Sequence, residues 1–366
     1  MMRQLDPTAV RRTLATALVL VACAAAEVSA GRADHFGKAE WKRELIRLEV
    51  EPAVAVYPFD ISEEMVRWAR ETIGPKDGVG DAAWLERLQT ALFDPSFDFT
   101  YTADLTLTAP QAFAHRRGNC MSFTALFVAL ARSAGIGAFL LSVEREPTID
   151  RDDGLVVLNR HVVAAYRKSS GGVTTFDFFV QRSEPYLHRR VVDDVEATAM
   201  YHANLGGSAI RAGRESDAIQ HLEIATVLSP EWAPGWINMG VARNRLGDSD
   251  AALDAYVRAL EADPNESSAL KNMAAIYFDR GLVREAEMAL RAAAQHTANP
   301  FTLIAAADVE MVRGRYDAAR GYLRTARKRY GSEPEVHLAL ARLADREGRP
   351  ARAEKHRKRA EKLASR

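Results

Sequence analysis

Hydrophobic and polar positions along the chain follow two regimes. Up to about residue 197, helical spacing alternates with short strand-like runs, whereas from Ala199 onward only helical spacing remains. In the first regime the spacing predicts a helix over Lys38 to Leu48, ended by Pro52 and Pro58. A second starts behind the capping residue Ser62, with Glu63 and Glu64 in its first turn. Trp84, Leu85, Leu88 and Leu92 share one side of a third, Asp81 to Leu92. Thr108 and Pro110 open a short fourth helix that delivers the chain to Arg117-Gly118-Asn119. The fifth begins at Cys120 and ends near Gly135. It is apolar almost all round, which predicts a buried helix with strands packed around it.

Strands are expected over Ile136 to Val143, Leu155 to Tyr166 and Val173 to Val180, with a polar loop from Glu144 to Gly154. The last two form a hairpin whose loop length has a consequence. If Ser169-Ser170-Gly171 make a three-residue loop, with Gly171 in the left-handed conformation, Lys168 faces Gly172 and Asp177 falls opposite Val163. His161 shares the face of Val163, so Asp177 becomes its diagonal neighbour. A two-residue loop would flip the parity and send the two side chains to opposite faces.

That pairing gives Cys120 a use. A helix N-terminus favours negative charge, so a cysteine there is suited to nucleophilic attack. His161 can exchange the thiol proton, and Asp177 can hold the ring in one tautomer. Asp177 lies among Phe176, Phe178 and Phe179, where an unpaired carboxylate is costly, and an imidazole would supply its partner. The backbone N–H of Cys120 is the first candidate for an oxyanion donor, with Tyr101 and Gln181 as candidates for the second. No pair among His115, His188 and His202 has metal-ligand spacing with a cysteine or carboxylate, so neither a metal nor a cofactor is expected.

With 366 residues, 48% of them hydrophobic, the chain is long enough for two domains. Lys plus Arg and Asp plus Glu each number 49, so no net field draws it to nucleic acid, and no nucleic-acid partner is expected. Arg3, Arg11 and Arg12 precede a short apolar run, Thr13 to Ala22, which is the pattern of an export signal and is too short to span a membrane. Export leaves Cys120 without an intramolecular partner, since the one other cysteine, Cys23, lies at the signal.

In the second regime Gly213, Gly247, Gly281, Gly314 and Gly348 recur at intervals of 34, 34, 33 and 34 residues. Ala218, Ala252, Ala286, Ala319 and Ala353 keep the same register, and Pro230 and Pro264 close the first two units. This resembles the tetratricopeptide repeat, in which small residues let paired helices approach and glycine makes the turn between them. Five repeats are expected, at about 199–232, 233–266, 267–299, 300–333 and 334–366. The resemblance implies an all-α solenoid whose first helices line a peptide-binding groove. Asn204, Asn238 and Asn272 hold one place in three repeats and, with Ile237, Lys271 and Phe278, are its candidate contacts for a protein partner. The same asparagines are also read as plain members of the repeat pattern.

Gly118-Asn119-Cys120 running into an apolar helix and the strand of Gly135-Ile136-Gly137, then a strand histidine and a strand aspartate, resembles the transglutaminase-like superfamily over roughly Ser62 to Pro185. That likeness implies an α+β, papain-like domain with a helical N-terminal part and an antiparallel sheet, placed here at 61–197. It implies either acyl chemistry on the amide bonds of a peptide or protein substrate, or a non-catalytic relative acting as a scaffold. Leu20-Val21-Ala22-Cys23 resembles the bacterial lipobox. This implies a signal over 1–22, lipid attachment at Cys23, a tether over 23–60 and a place in the cell envelope at a membrane. Cleavage after Val28-Ser29-Ala30, giving a secreted protein, is the alternative.

Overall fold

The computed structural model describes residues 37–143, 161–169, 171–178, 189–296 and 300–365. The signal segment, Cys23, Gln181 and His188 lie outside the described residues. Two compact units divide the described chain, one reaching to Leu246 and the other beginning at Gly247.

The first unit begins with helices α1 (Lys38–Arg47), α2 (Glu63–Thr72) and α3 (Asp81–Phe93). Ser62 caps α2 by accepting from the Met65 amide at 3.2 Å. A two-residue parallel ladder joins β1 (Thr100–Tyr101) to β2 (Arg117–Gly118), with α4 (Ala109–His115) between them. Helix α5 (Cys120–Ser133) follows, and Met121 through Ala131 are all buried, as its apolar surface predicts. Strands β3 (Ala138–Val143), β4 (His161–Arg167), β5 (Val173–Phe176) and β6 (Arg189–Val192) form an antiparallel sheet in the order β5-β4-β3-β6. Every residue of β3 is buried, because the strand is central in the sheet. Phe127 of α5 stacks on Phe176 of β5 with ring centroids 4.8 Å apart, which ties the helix to the hairpin.

Three repeat helices also belong to this unit: α6 (Asp194–Arg211), α7 (Glu215–Leu228) and α8 (Ala233–Arg245). Helix α6 starts at Asp194, so the expected boundary at 197/198 falls inside it. The reason is visible in its first turns. Asp194, fully buried, accepts both guanidinium nitrogens of Arg132 at 2.8 and 2.9 Å and the Tyr57 hydroxyl at 2.8 Å. Trp41 Nε1 donates to Thr198 Oγ1 at 3.0 Å, and the Val56 amide donates to His202 Nε2 at 3.1 Å. The first repeat helix is thus built into the core of the domain before it.

The second unit holds α9 (Ser249–Ala262), α10 (Ser267–Asp279), α11 (Val283–His296), α12 (Pro300–Val312), α13 (Tyr316–Tyr330), α14 (Pro334–Arg346) and α15 (Pro350–Ala364). The recurrent alanines Ala252, Ala286, Ala319 and Ala353 are all fully buried between helices. The recurrent glycines turn the chain from each first helix to its second with φ between +66° and +82°, a left-handed conformation that glycine adopts without steric cost.

Candidate active site

Cys120 is the first residue of α5, and the turn before it is fixed by a small hydrogen-bond lattice. Asn119, the cap, accepts from the Ser122 amide at 3.1 Å and donates through Nδ2 to Thr106 Oγ1 at 2.7 Å. Ser122 Oγ accepts from the Leu107 amide at 2.8 Å and lies 3.1 Å from the Leu105 carbonyl. Ser122 also explains the glycine: a Cβ on Gly118 would stand 2.7 Å from its Oγ and closer still to its Cβ. Gly118 and Asn119 therefore hold the thiol at the helix start, and a larger residue at 118 would displace it. Cys120 is a free, half-buried thiol.

The acid and the ring come from the hairpin. Arg167 pairs with Val173 and Ala164 with Phe176. At the loop end the Lys168 amide donates to the Gly172 carbonyl and the Gly171 amide to the Lys168 carbonyl, each at 3.0 Å. Gly171 has φ +86°. This is the register of a three-residue loop, and one step past Phe176 it sets Asp177 diagonal to His161. His161 Nε2 lies 3.0 Å from both carboxylate oxygens of Asp177. Both side chains are nearly buried, 12% and 10% exposed.

The Cys120 side chain lies close enough to His161 to act on its ring. A second bond keeps this arrangement together, since Thr124, one turn along α5, donates to the carbonyl of Val162 at 3.3 Å. Burial pulls the His161 pKa down. The hydrogen bond to Asp177, the hydrogen bond to Cys120 and the charges of both outweigh it, and hold His161 up to about 9. With Nε2 given to the carboxylate, Nδ1 is the ring nitrogen left for proton exchange with sulfur. The structure thus brings together three side chains widely separated in sequence, in the order sulfur, ring, acid.

Sequence reasoning missed several supports. Gln89 of α3 donates from Nε2 to the Asp177 carbonyl at 3.0 Å, and the Thr106–Asn119–Ser122 lattice gave no motif to read. Phe178 packs against Phe93, Tyr101 and Phe123, at centroid distances of 5.4, 5.1 and 5.9 Å. Tyr101, a candidate oxyanion donor, pairs with Gly118 across the β1/β2 ladder, beside the turn before Cys120.

The expected groove needs correction. Ile237, Asn238 and Asn272 are 0%, 1% and 1% exposed, so none of them meets a peptide at the surface. They turn inward among packed helices, Asn272 beside the Tyr256 phenol. Asn204 and Lys271 are half-buried and Phe278 is exposed. Burial lowers the Lys271 ammonium to about 8. Among the described residues, no three His, Cys, Asp or Glu side chains gather as metal ligands.

A cysteine at a helix start, a strand histidine and an aspartate just past a strand end make a papain-like arrangement. Residues 84–166 match the transglutaminase-like superfamily, a span that takes in Cys120 and His161 and stops before Asp177. Residues 238–301 and 300–343 match tetratricopeptide repeats. The chain therefore carries a transglutaminase-like domain followed by tetratricopeptide repeats. It is 28% identical over 82 residues to a heat-shock protein cognate co-chaperone, sgt12, of Aspergillus fumigatus, covering 22% of this chain and 24% of that one. It is 37% identical over 93 residues to the photosystem I assembly protein Ycf3 of Prochlorococcus marinus, covering 25% and 54%. The chain thus spans about half the length, or less, of these curated relatives. Among solved structures, the Pseudomonas aeruginosa pilF structure aligns at 20% identity with a TM-score of 0.42, over 45% of this chain and 76% of that one.

Proposed function

We propose that the transglutaminase-like domain is a cysteine enzyme that forms a thioester with the acyl group of an amide. The observation that carries this reading is the meeting of Cys120, His161 and Asp177, with His161 bonded to Asp177 and its proton affinity raised by both neighbours. Cys120 gives its proton to His161, and sulfur attacks the carbonyl carbon to form a C–S bond. The oxyanion is held by the Cys120 amide, one of the first-turn N–H groups that a helix leaves without an acceptor. As the C–N bond breaks, His161 returns the proton to the departing amine. Water or a second amine then attacks the thioester while His161 takes its proton, and that proton goes back to sulfur. Asp177 keeps the ring oriented and stabilises the imidazolium throughout.

The basic and apolar N-terminal segment supports export, and the lipobox-like Leu20 to Cys23 supports a lipid anchor in the cell envelope. The repeats serve as a protein-binding module, a reading supported by their resemblance to a family in which co-chaperones occur. Mass spectrometry of the mature N-terminus tests the anchor: an acylated Cys23 is expected, and an unmodified terminus after Ala30 would overturn it.

Alkylation with iodoacetamide at pH 6 tests the enzyme. Cys120 should label at least tenfold faster than free cysteine, with the advantage lost in His161→Ala. Labelling no faster than free cysteine, and indifferent to His161, leaves a scaffold rather than a catalyst.

A further inference from the structure

Asp177 stands past the end of β5, where the ladder no longer sets its position. The last pair is Ala164 with Phe176. The carboxylate must nevertheless present both oxygens to one ring nitrogen at 3.0 Å, which requires a fixed main chain. Helix α3 reaches β4 and the two residues just past the end of β5. At its first residue, Asp81 accepts the Tyr166 hydroxyl of β4 at 2.8 Å and an ion pair from Lys76 at 2.8 Å. Two turns on, part-buried Gln89 donates to the Asp177 carbonyl at 3.0 Å. At its last residue, Phe93 meets Phe178 edge-on at 5.4 Å. The helix thus grips the chain at Asp177 and at the residue after it.

We infer that Gln89 is a positioning residue, which fixes the main chain at Asp177 so that the carboxylate holds His161 in line with Cys120. The role rests on the reading of those three side chains as a relay. A side-chain amide suits it because the group is neutral and adds no charge to compete for the carboxylate, while its N–H donates to the main chain just past the strand end. Gln89 touches neither the ring nor sulfur; it acts through Asp177.

The test is the pH profile of Cys120 alkylation in the full-length chain, together with its thermal unfolding. Gln89→Met keeps length and volume and removes the donor. It should slow labelling at pH 6 by about tenfold, because a ring that drifts out of line no longer sets its charge beside sulfur. Tyr166→Phe removes the other polar grip of α3 at the far end of β4 and serves as the structural comparison. It should lower the unfolding temperature and leave the labelling profile at wild type. The decisive arm is the cycle with Asp177→Asn. If Gln89 works through the acid, Gln89→Met added to Asp177→Asn slows labelling no further.

A normal labelling profile in Gln89→Met overturns the inference, as does a full tenfold additive loss in the double variant. Should Asp177→Asn alone leave labelling unchanged, the relay itself fails. That outcome is distinguishable, because it does not depend on Gln89.

Discussion

Histidine is used differently in the two halves of the molecule. His161 is a strand residue whose partners arrive from other parts of the chain, Asp177 across a hairpin and Cys120 from a helix start. The repeats hold histidine pairs instead: His202 with His221 and His337 with His356, each 19 residues apart and each with Nδ1 atoms 3.2 Å apart. The pairs occupy equivalent places in the first and last repeats, eleven residues before and eight after Gly213 and Gly348. Position is therefore copied by the repeat, yet the proton wiring is not. His202 Nε2 accepts from the Val56 amide, so its proton sits on Nδ1 and points at His221. His337 Nε2 faces the Gly331 carbonyl, so its proton sits on Nε2 and its Nδ1 accepts from His356. A repeated scaffold sets where side chains meet, and the local neighbours decide what they do there. In the transglutaminase-like domain Cys120, His161 and Asp177 each occur once, so one substitution should be felt at once.

The largest expected effect follows from that difference. His161→Ala should reduce Cys120 alkylation at pH 6 by a hundredfold or more, within the usual range for loss of a positioned acid or base. His356→Ala, which dissolves a repeat pair, should leave labelling unchanged.

Second comes the buried ion pair between the domain and its first repeat helix. Arg132→Met leaves the fully buried Asp194 carboxylate without its bidentate partner and should cost about 3–5 kcal/mol in urea unfolding. The loss should appear in the transition of residues up to Leu246. An equal loss in the transition of the later repeats would show that the two units do not unfold independently.

Glycine sharpens the same contrast. Gly118→Ala collides with Ser122 and should slow Cys120 labelling, because the turn holding the thiol must shift. Gly281→Ala meets nothing in space but must adopt φ +73°, which should cost about 1 kcal/mol of stability and leave labelling intact.

The effects of pH are spread over several units and have opposite signs. Burial, then the neighbouring His221, depresses His202 to about 4. The unfolded chain binds the proton below about 6.5 while the folded chain does not, so stability should fall as pH drops from about 6.5 towards 4. In His202→Asn that slope should flatten. His161, raised to about 9, contributes stability that is complete below about 6.5 and lost as pH rises through about 9. Thermal unfolding across pH 4 to 10, in the wild type and in each variant, checks both.

Much of this could be read before any coordinates. The repeats were legible because Gly, Ala and Pro recur in one register, and each recurrence has the same packing cause. The hairpin was legible because loop length fixes strand parity, which joined His161 to Asp177 without knowledge of the rest of the sheet. Gln89 was not legible, since nothing in an amphipathic helix marks which polar residue will face a strand end 88 residues later. Thr106 and Ser122 were hidden too, since the first stands in an irregular stretch and the second is one small residue in an apolar helix. The repeat pattern supplied the place of Asn238 and Asn272 but not their depth, which depends on the helices packed over them. No break in the pattern marks where the domain ends, because Asp194 belongs by hydrogen bonding to the domain before it and by helix to the repeats after it.

The central claim is that sulfur, ring and acid act as one unit, and the ring reports it directly. A ¹⁵N NMR titration of the His161 imidazole in the intact chain should find the ring protonated to about pH 9, with that midpoint falling in both Cys120→Ser and Asp177→Asn. A wild-type ring that titrates near 6.5, unmoved by either substitution, would contradict it.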